Sequence, residues 1–338
     1  MRSRRGFLQA SGALALDFNL LRRFEQWRAL GKRPEAARVT PFTTPNAEFY
    51  LVAVDPSFRP SFEPKDVQSA WKLELAGAGG AARAYGYDEL VSRATRTVHY
   101  TFECIGNPVG GQLIGNAEWH VIPLKELLAE APGGAGRSHS VMFVGLDDFH
   151  SSVSAARALD EHAFLALKMN GEPLPGAHGF PARVILPDLY GMKQPRWLRR
   201  IALQEASDTT SYWEKRGWGG EVPVKTMSRL DPRRHALAGR RLELTGIAFA
   251  GERGVSKVEV SLDGGANWVG CELRTPTTAG VWSLWATAWT PPRPGRYDIQ
   301  VRATDGRGEL QTAVQHGAFP DGASGYDRET VDVAKSEA

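Results

Sequence analysis

Cys104 sits in the run TFECIGNPVGGQLIGN (residues 101–116), and it is one of only two cysteines in 338 residues. A thiolate is a nucleophile or a soft metal ligand, whereas a neutral thiol packs as a small inert hydrophobe. The glycines on its C-terminal side argue against an ordinary helix and let another group approach the backbone closely. Cys104 and Cys271 supply neither the closely spaced ligands of a zinc site nor a disulfide framework. A single bridge between them stays open at this level. So does the bland reading of Cys104 as a buried thiol. Cys271 lies in a strand-like stretch and reads as a small buried hydrophobe.

The elements that must position Cys104 belong to a chain long enough for two cores, so two domains are expected. From about residue 40 to 230 short strands and helices mix with long Gly/Pro-rich loops. EWHVIPLKELLAEAP opens as a strand or turn and continues as a helix after Pro123, because proline suits a first helical turn. ARVILP (182–187) reads as a short buried strand. There is no βαβ rhythm and no GxGxxG after a strand, which argues against a nucleotide-binding fold. DPRRHALAGRR, from Asp231, reads as a linker, and the texture then changes to period-2 alternation. Val258, Val260 and Leu262 alternate with polar residues up to an Asp-Gly-Gly turn, VWSLWATAW alternates too, and Tyr297, Ile299, Val301 and Ala303 share one face. Strands of this length between turns predict a β-sandwich over 231–330, with residues 331–338 as a tail.

The formal charge of +3 belongs to the first 39 residues, which carry nine Lys/Arg against three Asp/Glu. The remainder is slightly acidic and has no basic cluster of the kind nucleic acid requires. The leader contains SRRGFL, which resembles a bacterial twin-arginine export signal, although Asp17 ends the apolar stretch early. Phe18, Leu21, Phe24 and Trp27 follow at helical spacing with arginines between them. That pattern suits a basic amphipathic helix, lying on a membrane surface or packed on its own domain. No segment reaches the roughly 18–20 apolar residues of a membrane span. The expected address is the periplasm or the exported face of a bacterial membrane, and the cytoplasm if the leader is not a signal.

TFECIGN resembles the cysteine motif of the sulfite oxidase family of molybdenum enzymes. TPNAEFY (44–50), IGNAEWHVIPLKELL (114–128), LKMNGEPLPGAHGFPARVILPDLYGMKQPRWLRRI (167–201) and the sandwich segment VEVSLDGGANW resemble further family segments in family order. The resemblance covers residues 40 to 330. It implies an α+β molybdopterin-binding domain of the sulfite oxidase type over 40–230, followed by an immunoglobulin-like dimerisation domain. It also implies one molybdenum per chain, held by a pterin dithiolene and by Cys104 as its protein ligand, a role that suits a soft thiolate. The pterin ends in a phosphate, which arginine grips in a fork and lysine meets as a point charge. By resemblance His178, Arg183 and Arg196 hold the cofactor, with Lys193 beside them, and Tyr50 and His150 also touch it.

The substrate positions depart from the family. Val52, Ala53 and Val54 stand where sulfite oxidases carry an Arg-Asn-His run, and Pro108 and Val109 replace two arginines after Asn107. Trp218 aligns with a family tyrosine, and Arg253 matches a family arginine that reaches the pocket. A small dianion needs several paired cations in a closed site. The expectation is therefore a molybdenum-cofactor oxidoreductase moving an oxygen atom to or from a small molecule other than sulfite, such as an S- or N-oxide, with Arg253 and Trp218 at the pocket. Sulfite dehydrogenase with an unusual pocket and a non-catalytic cofactor-binding subunit are the alternatives. With no haem-attachment motif and no flavin or nicotinamide domain, electrons would pass through a separate partner such as a cytochrome. A homodimer through the sandwich follows from the resemblance.

Overall fold

The computed structural model describes residues 39–54, 58, 67–134, 138–207, 209–232, 235–276 and 278–336. The leader, with its export-signal and amphipathic-helix readings, lies outside the described residues.

The cysteine terminates a long hairpin. Strand Arg96–Glu103 pairs antiparallel with Ile114–Pro123 without a break, from Arg96 opposite Val121 to Glu103 opposite Ile114. Phe164–Met169 flanks the second strand and pairs in turn with Glu172–Pro173 and with Arg183–Ile185. ARVILP is thus a buried three-residue strand, as its β-branched run between prolines suggests. Pro123 closes its strand and caps the helix Leu124–Leu128, whose three leucines are buried.

A second sheet runs in the order Ala82–Gly86, Lys72–Ala76, Leu198–Gln204, Ser140–Gly145, His150–Ser154. Only the pairing of Lys72–Ala76 with Leu198–Gln204 is parallel. The two sheets share one core, in which Trp71, Phe102, Trp119, Phe143, Leu165 and Ile201 are fully or almost fully covered. Short helices at Tyr87–Arg93, Leu124–Leu128 and Ala155–Ala158 complete this α+β unit.

Two further sheets form the predicted sandwich. One runs Met227–Leu230, Leu242–Phe249, Ser283–Trp289, Glu272–Arg274; the other His235–Leu237, Asp327–Ala334, Gly295–Asp305, Val255–Ser261, Val269–Gly270. Leu244, Trp285, Val258, Val260, Ile299, Val301 and Ala303 meet between them, the last five being inward positions read from period-2 alternation.

Three details differ from expectation. The sandwich begins upstream of residue 231, because Met227–Leu230 is one of its strands and Leu230 lies in its core. Described parts of the supposed linker are ordered: Asp231 is buried and accepts hydrogen bonds from Thr40 N (3.0 Å) and Thr245 Oγ1 (2.8 Å), and His235–Leu237 pairs parallel with the last strand. Asp231 is a buried polar residue whose hydrogen bonds are satisfied, while His235, Arg240 and Arg241 are exposed. The supposed tail is strand as far as Ala334, which the strand His235–Leu237 covers on one edge.

A third apolar cluster joins the two units. Ile105, Ile114, Tyr190, Met192, Trp213 and Trp218 of the first pack with Ile247, Phe249, Val281 and Trp282 of the second. Trp282 also donates its backbone N–H to Thr101 Oγ1 (3.0 Å) and its Nε1–H to Phe42 O (2.9 Å). The cysteine hairpin is therefore held from both sides.

Candidate functional site

Cys104 is the first residue after its strand, and the loop that follows is organised by Asn107. Cys104 N–H donates to Leu113 O (2.9 Å), and Asn107 N–H donates back to Cys104 O (2.9 Å). The Asn107 amide then accepts from Leu113 N–H (2.9 Å) and donates to Glu103 Oε1 (3.0 Å). Gly111 is glycine because a Cβ there would stand 2.4 Å from Asn107 Oδ1. Gly106 is the glycine that borders the sulfur, since its Cβ would come within 3.7 Å of Cys104 Sγ. The loop is a rigid cradle that presents one thiol. Both cysteines are free, which closes the question of a bridge. Cys271 is only partly buried, in the link between two short edge strands rather than inside one.

A cavity of about 100 Å³ opens over Cys104. Burial pushes the thiol up to about 11, with the Gly106 N–H bond pulling weakly the other way. Without a metal the sulfur stays protonated; a metal displaces that proton outright. Beside it Glu103 is buried, its carboxyl pushed up to about 7 by desolvation, and its Oε2 has no hydrogen-bond partner.

Two arginines line the cavity. Arg183 opens its short strand at 6% exposure, lies 4.0 Å over the Phe102 ring, and donates Nη1–H to His178 O (3.1 Å). Its Nε is buried without a partner, and among the described residues no carboxylate pairs with it. Burial, then Arg196, push its pKa down to about 9. Arg196 donates to Ala177 O (2.7 Å) and Val52 O (2.8 Å) and stacks on Trp197. Gly179, at φ +121°, makes the meeting of the two arginines possible: a Cβ there would lie 3.0 Å from Arg183 Cβ and 3.2 Å from Arg196 Cβ. His178 Nε2 lies 2.8 Å from Asn46 O, so that nitrogen carries the proton and Nδ1 keeps its lone pair. Burial pushes the imidazole down to about 4, and the ring is neutral. Tyr50 also lines the cavity, and burial with Cys104 nearby keeps its hydroxyl protonated. Asp147 lines it too, within electrostatic reach of Arg196 and raised by burial.

The lining also carries apolar side chains, those of Val52, Ala53, Val54, Phe149, Met192, Trp213 and Trp218. Of the sequence-predicted residues, the fold brings Cys104, Tyr50, His178, Arg183, Arg196 and Trp218 to this one cavity.

Three others are elsewhere. Lys193 is buried at 1% exposure, but its ammonium pairs with Glu214 and is turned toward Thr209 O, so it fastens one loop to another. His150 is partly exposed and its ring faces Asp148 O (3.4 Å). Arg253 does not reach the pocket: its guanidinium bridges Asp305 (2.9 Å) and Asp188 (3.4 Å) and donates to Val224 O (2.8 Å). Two acids and a carbonyl hold it between the units. Sequence reading missed Asn107, Glu103 and Trp213. The aromatic density of SYWEKRGWGG is the one signal that pointed toward Trp213.

Residues 61–213 match the profile of the oxidoreductase molybdopterin binding domain, and residues 225–316 that of the Mo-co oxidoreductase dimerisation domain. The chain belongs to the sulfite oxidase family of molybdopterin-dependent oxidoreductases. Mitochondrial sulfite oxidases of Rattus norvegicus and Homo sapiens are each 29% identical over 313 residues, covering 78% of this chain and 56% of theirs. The chain thus spans about half the length of these relatives. The nitrate reductase [NAD(P)H] of Hordeum vulgare is 26% identical over 291 residues, covering 66% of this chain and 32% of its own. The sulfane dehydrogenase SoxCD of Paracoccus pantotrophus has the same fold, with a TM-score of 0.70 at 19% identity over 98% of this chain and 96% of that one.

A sulfite oxidase family chain implies a molybdenum–pterin group, and the residues present fit one. Among the described residues no three His, Cys, Asp or Glu side chains converge on a metal position, so Cys104 is a single soft donor facing the cavity. The buried Arg183, with an unpartnered Nε and no carboxylate, is an energetically costly arrangement that an anion relieves.

Proposed function

We propose that the chain transfers an oxygen atom to or from a small neutral molecule, with Cys104 as the molybdenum ligand. The observation that carries this reading is the single thiol facing a cavity lined both by two arginines and by apolar side chains. When bound, the molybdenum–pterin group supplies the two-electron redox change. Arg183 and Arg196 hold its anionic parts, and neutral His178 offers Nδ1 as an acceptor beside them. Tyr50, protonated at Oη, is a hydrogen-bond donor facing the same space. In the reducing direction the S–O or N–O bond of an oxide breaks, and two electrons and two protons convert the oxygen to water. The electrons come from a separate carrier, such as a cytochrome.

A reading against sulfite rests on the wall residues. Val52, Ala53 and Val54 bring no charge, Arg253 is committed to Asp305 and Asp188, and Asp147 adds an acid. Closing a dianion into such a site would leave it short of cations. The second reading is sulfite oxidation, favoured by the names of the relatives and by two arginines on the lining. Holoenzyme assayed with sulfite and ferricyanide, and separately with sulfoxides and a reduced viologen dye, separates the two. Sulfite turnover well above oxide turnover overturns the first reading.

The first unit is read as a cofactor domain over about 40–230 and the second as an immunoglobulin-like sandwich through which two copies pair. Sedimentation of the purified chain tests the dimer. The leader is read as a twin-arginine signal that places the enzyme on the exported side of a bacterial membrane. Export of an Arg4→Lys, Arg5→Lys variant at the normal level would remove that reading.

A further inference from the structure

We propose that Arg229, supplied by the sandwich, is a positioning residue for Cys104: it clamps the far end of the cysteine loop and so sets how the sulfur is presented to the cavity. This rests on the reading of Cys104 as the molybdenum ligand and names a residue of the second unit on which that ligand depends. Met227–Leu230 is an edge strand of the sandwich, with Arg229 opposite Ile247. Alternation along the strand turns its neighbours into the sandwich. Leu230 joins that core, and Ser228 Oγ lies 3.1 Å from Val301 O and 2.7 Å from Gln311 Oε1. Arg229, between them, faces the other way, across the junction to the first unit.

There it is buried at 3% exposure. Its Nη1–H donates to Gly111 O (3.1 Å) and to Gln112 Oε1 (3.1 Å), and its Nη2–H to Thr40 Oγ1 (2.7 Å). Asp231 Oδ1 stands 4.0 Å from Nη2. Gly111 and Gln112 lead directly into Leu113, whose two backbone groups close the cysteine loop. Leu113 O accepts from Cys104 N–H, and Leu113 N–H donates to Asn107 Oδ1. Asn107 in turn donates to Glu103 Oε1, and the Arg229 charge lies within electrostatic reach of that buried carboxyl. The strut from the sandwich thus bears on both flanks of the cysteine.

Adhesion between the units does not call for a buried guanidinium. The apolar cluster around Ile105, Ile247 and Trp282 already joins them, and a buried charge adds little net stability over an apolar side chain of its size. What a guanidinium adds is direction, because its planar fork fixes the acceptors relative to one another. Groups behind a metal ligand hold its orientation, and loss of one lowers metal affinity about ten- to a hundredfold.

The test uses holoenzyme and two readouts other than turnover: molybdenum retained per chain on dilution, and the electron paramagnetic resonance spectrum of the molybdenum after one-electron reduction. Arg229→Met should lower retention about tenfold and shift the spectrum. Arg229→Lys keeps the charge without the fork and should fall between it and the parent. Gln112→Ala removes one acceptor on the loop side, leaves the sandwich intact, and should shift the spectrum in the same direction. Ser228→Ala breaks buried hydrogen bonds one residue away on the opposite face. It should lower the melting temperature and leave spectrum and retention at the parent values. Parent-like spectrum and retention in Arg229→Met, or in Gln112→Ala if Arg229→Met does not fold, overturns the clamp and leaves the ligand assignment standing. A change of equal size in Ser228→Ala does the same. A spectrum unaltered in Cys104→Ser removes the ligand assignment and the clamp with it.

Discussion

The cationic and the apolar parts of the lining over Cys104 come from different stretches of chain and do different physical work. The loop from His178 to Arg196 brings two guanidiniums among aromatic rings, Arg183 buried and Arg196 partly covered, with backbone carbonyls of His178, Ala177 and Val52 as hydrogen-bond acceptors. Trp213, Trp218 and the side chains of residues 52–54 present indole and aliphatic surface. A buried guanidinium such as that of Arg183, paired with no carboxylate among the described residues, is expensive until an anion completes it, whereas an apolar wall is stable as it stands. Under the proposed function, the first suits a resident charged group and the second a neutral substrate.

The largest expected effect is at the Cys104 sulfur, which faces both kinds of lining. Cys104→Ser should abolish activity with the cofactor supplied, yet leave most of the pterin bound and change stability by under about 1.5 kcal/mol, since one atom is exchanged at a loop. Molybdenum analysis and thermal melting check this, and full activity in the variant would end the ligand assignment. Next is Arg253, which is not on the lining. Arg253→Ala should cost about 4 kcal/mol, because it strands buried Asp305, while the KM of whichever substrate is turned over stays unchanged. A rise in KM without loss of stability would return Arg253 to the pocket.

His178 gives a smaller effect with a defined sign. Its folded pKa, about 4, lies below the ordinary value of 6.5, so the unfolded chain binds the extra proton between those limits. Its contribution is complete above pH 6.5 and is lost as pH falls toward 4, on the order of 3 kcal/mol over the window. Denaturant unfolding of apo protein should show a shallower rise in stability from pH 4 to 6.5 in His178→Gln than in the parent. Equal slopes would mean that the ring titrates normally. The smallest effect sharpens the division between holding and positioning. Lys193→Met should lower stability by about 2 kcal/mol through the partly covered Glu214, with pterin affinity unchanged. Loss of pterin at unchanged stability would put Lys193 back among the cofactor contacts.

Much of this arrangement was legible in the residues. Cys104 among glycines, the His178–Arg183 offset and the period-2 strands around Val258 and Ile299 each carry local signals, because alternation, turn chemistry and motif spacing are written in neighbouring positions. Arg253 and Lys193 were misread for a shared reason. A cation's sequence neighbours do not reveal which acid the fold will bring to it, and Asp305 lies 2.9 Å from Arg253 only after the strands pair. Residues 231–237 read as linker because buried Asp231 looks the same in sequence as an exposed one.

By itself, then, the amino-acid sequence determined the family, the lone cysteine among glycines and the strands of the sandwich, since these depend on residue type and short spacing. Only the tertiary structure decided which cations face the cavity and which are taken by carboxylates. It also decided that Phe319, about a hundred residues beyond Trp218, stands against it. Those outcomes depend on long-range contacts, in which partners distant in sequence are chosen by packing and charge compensation rather than by local pattern.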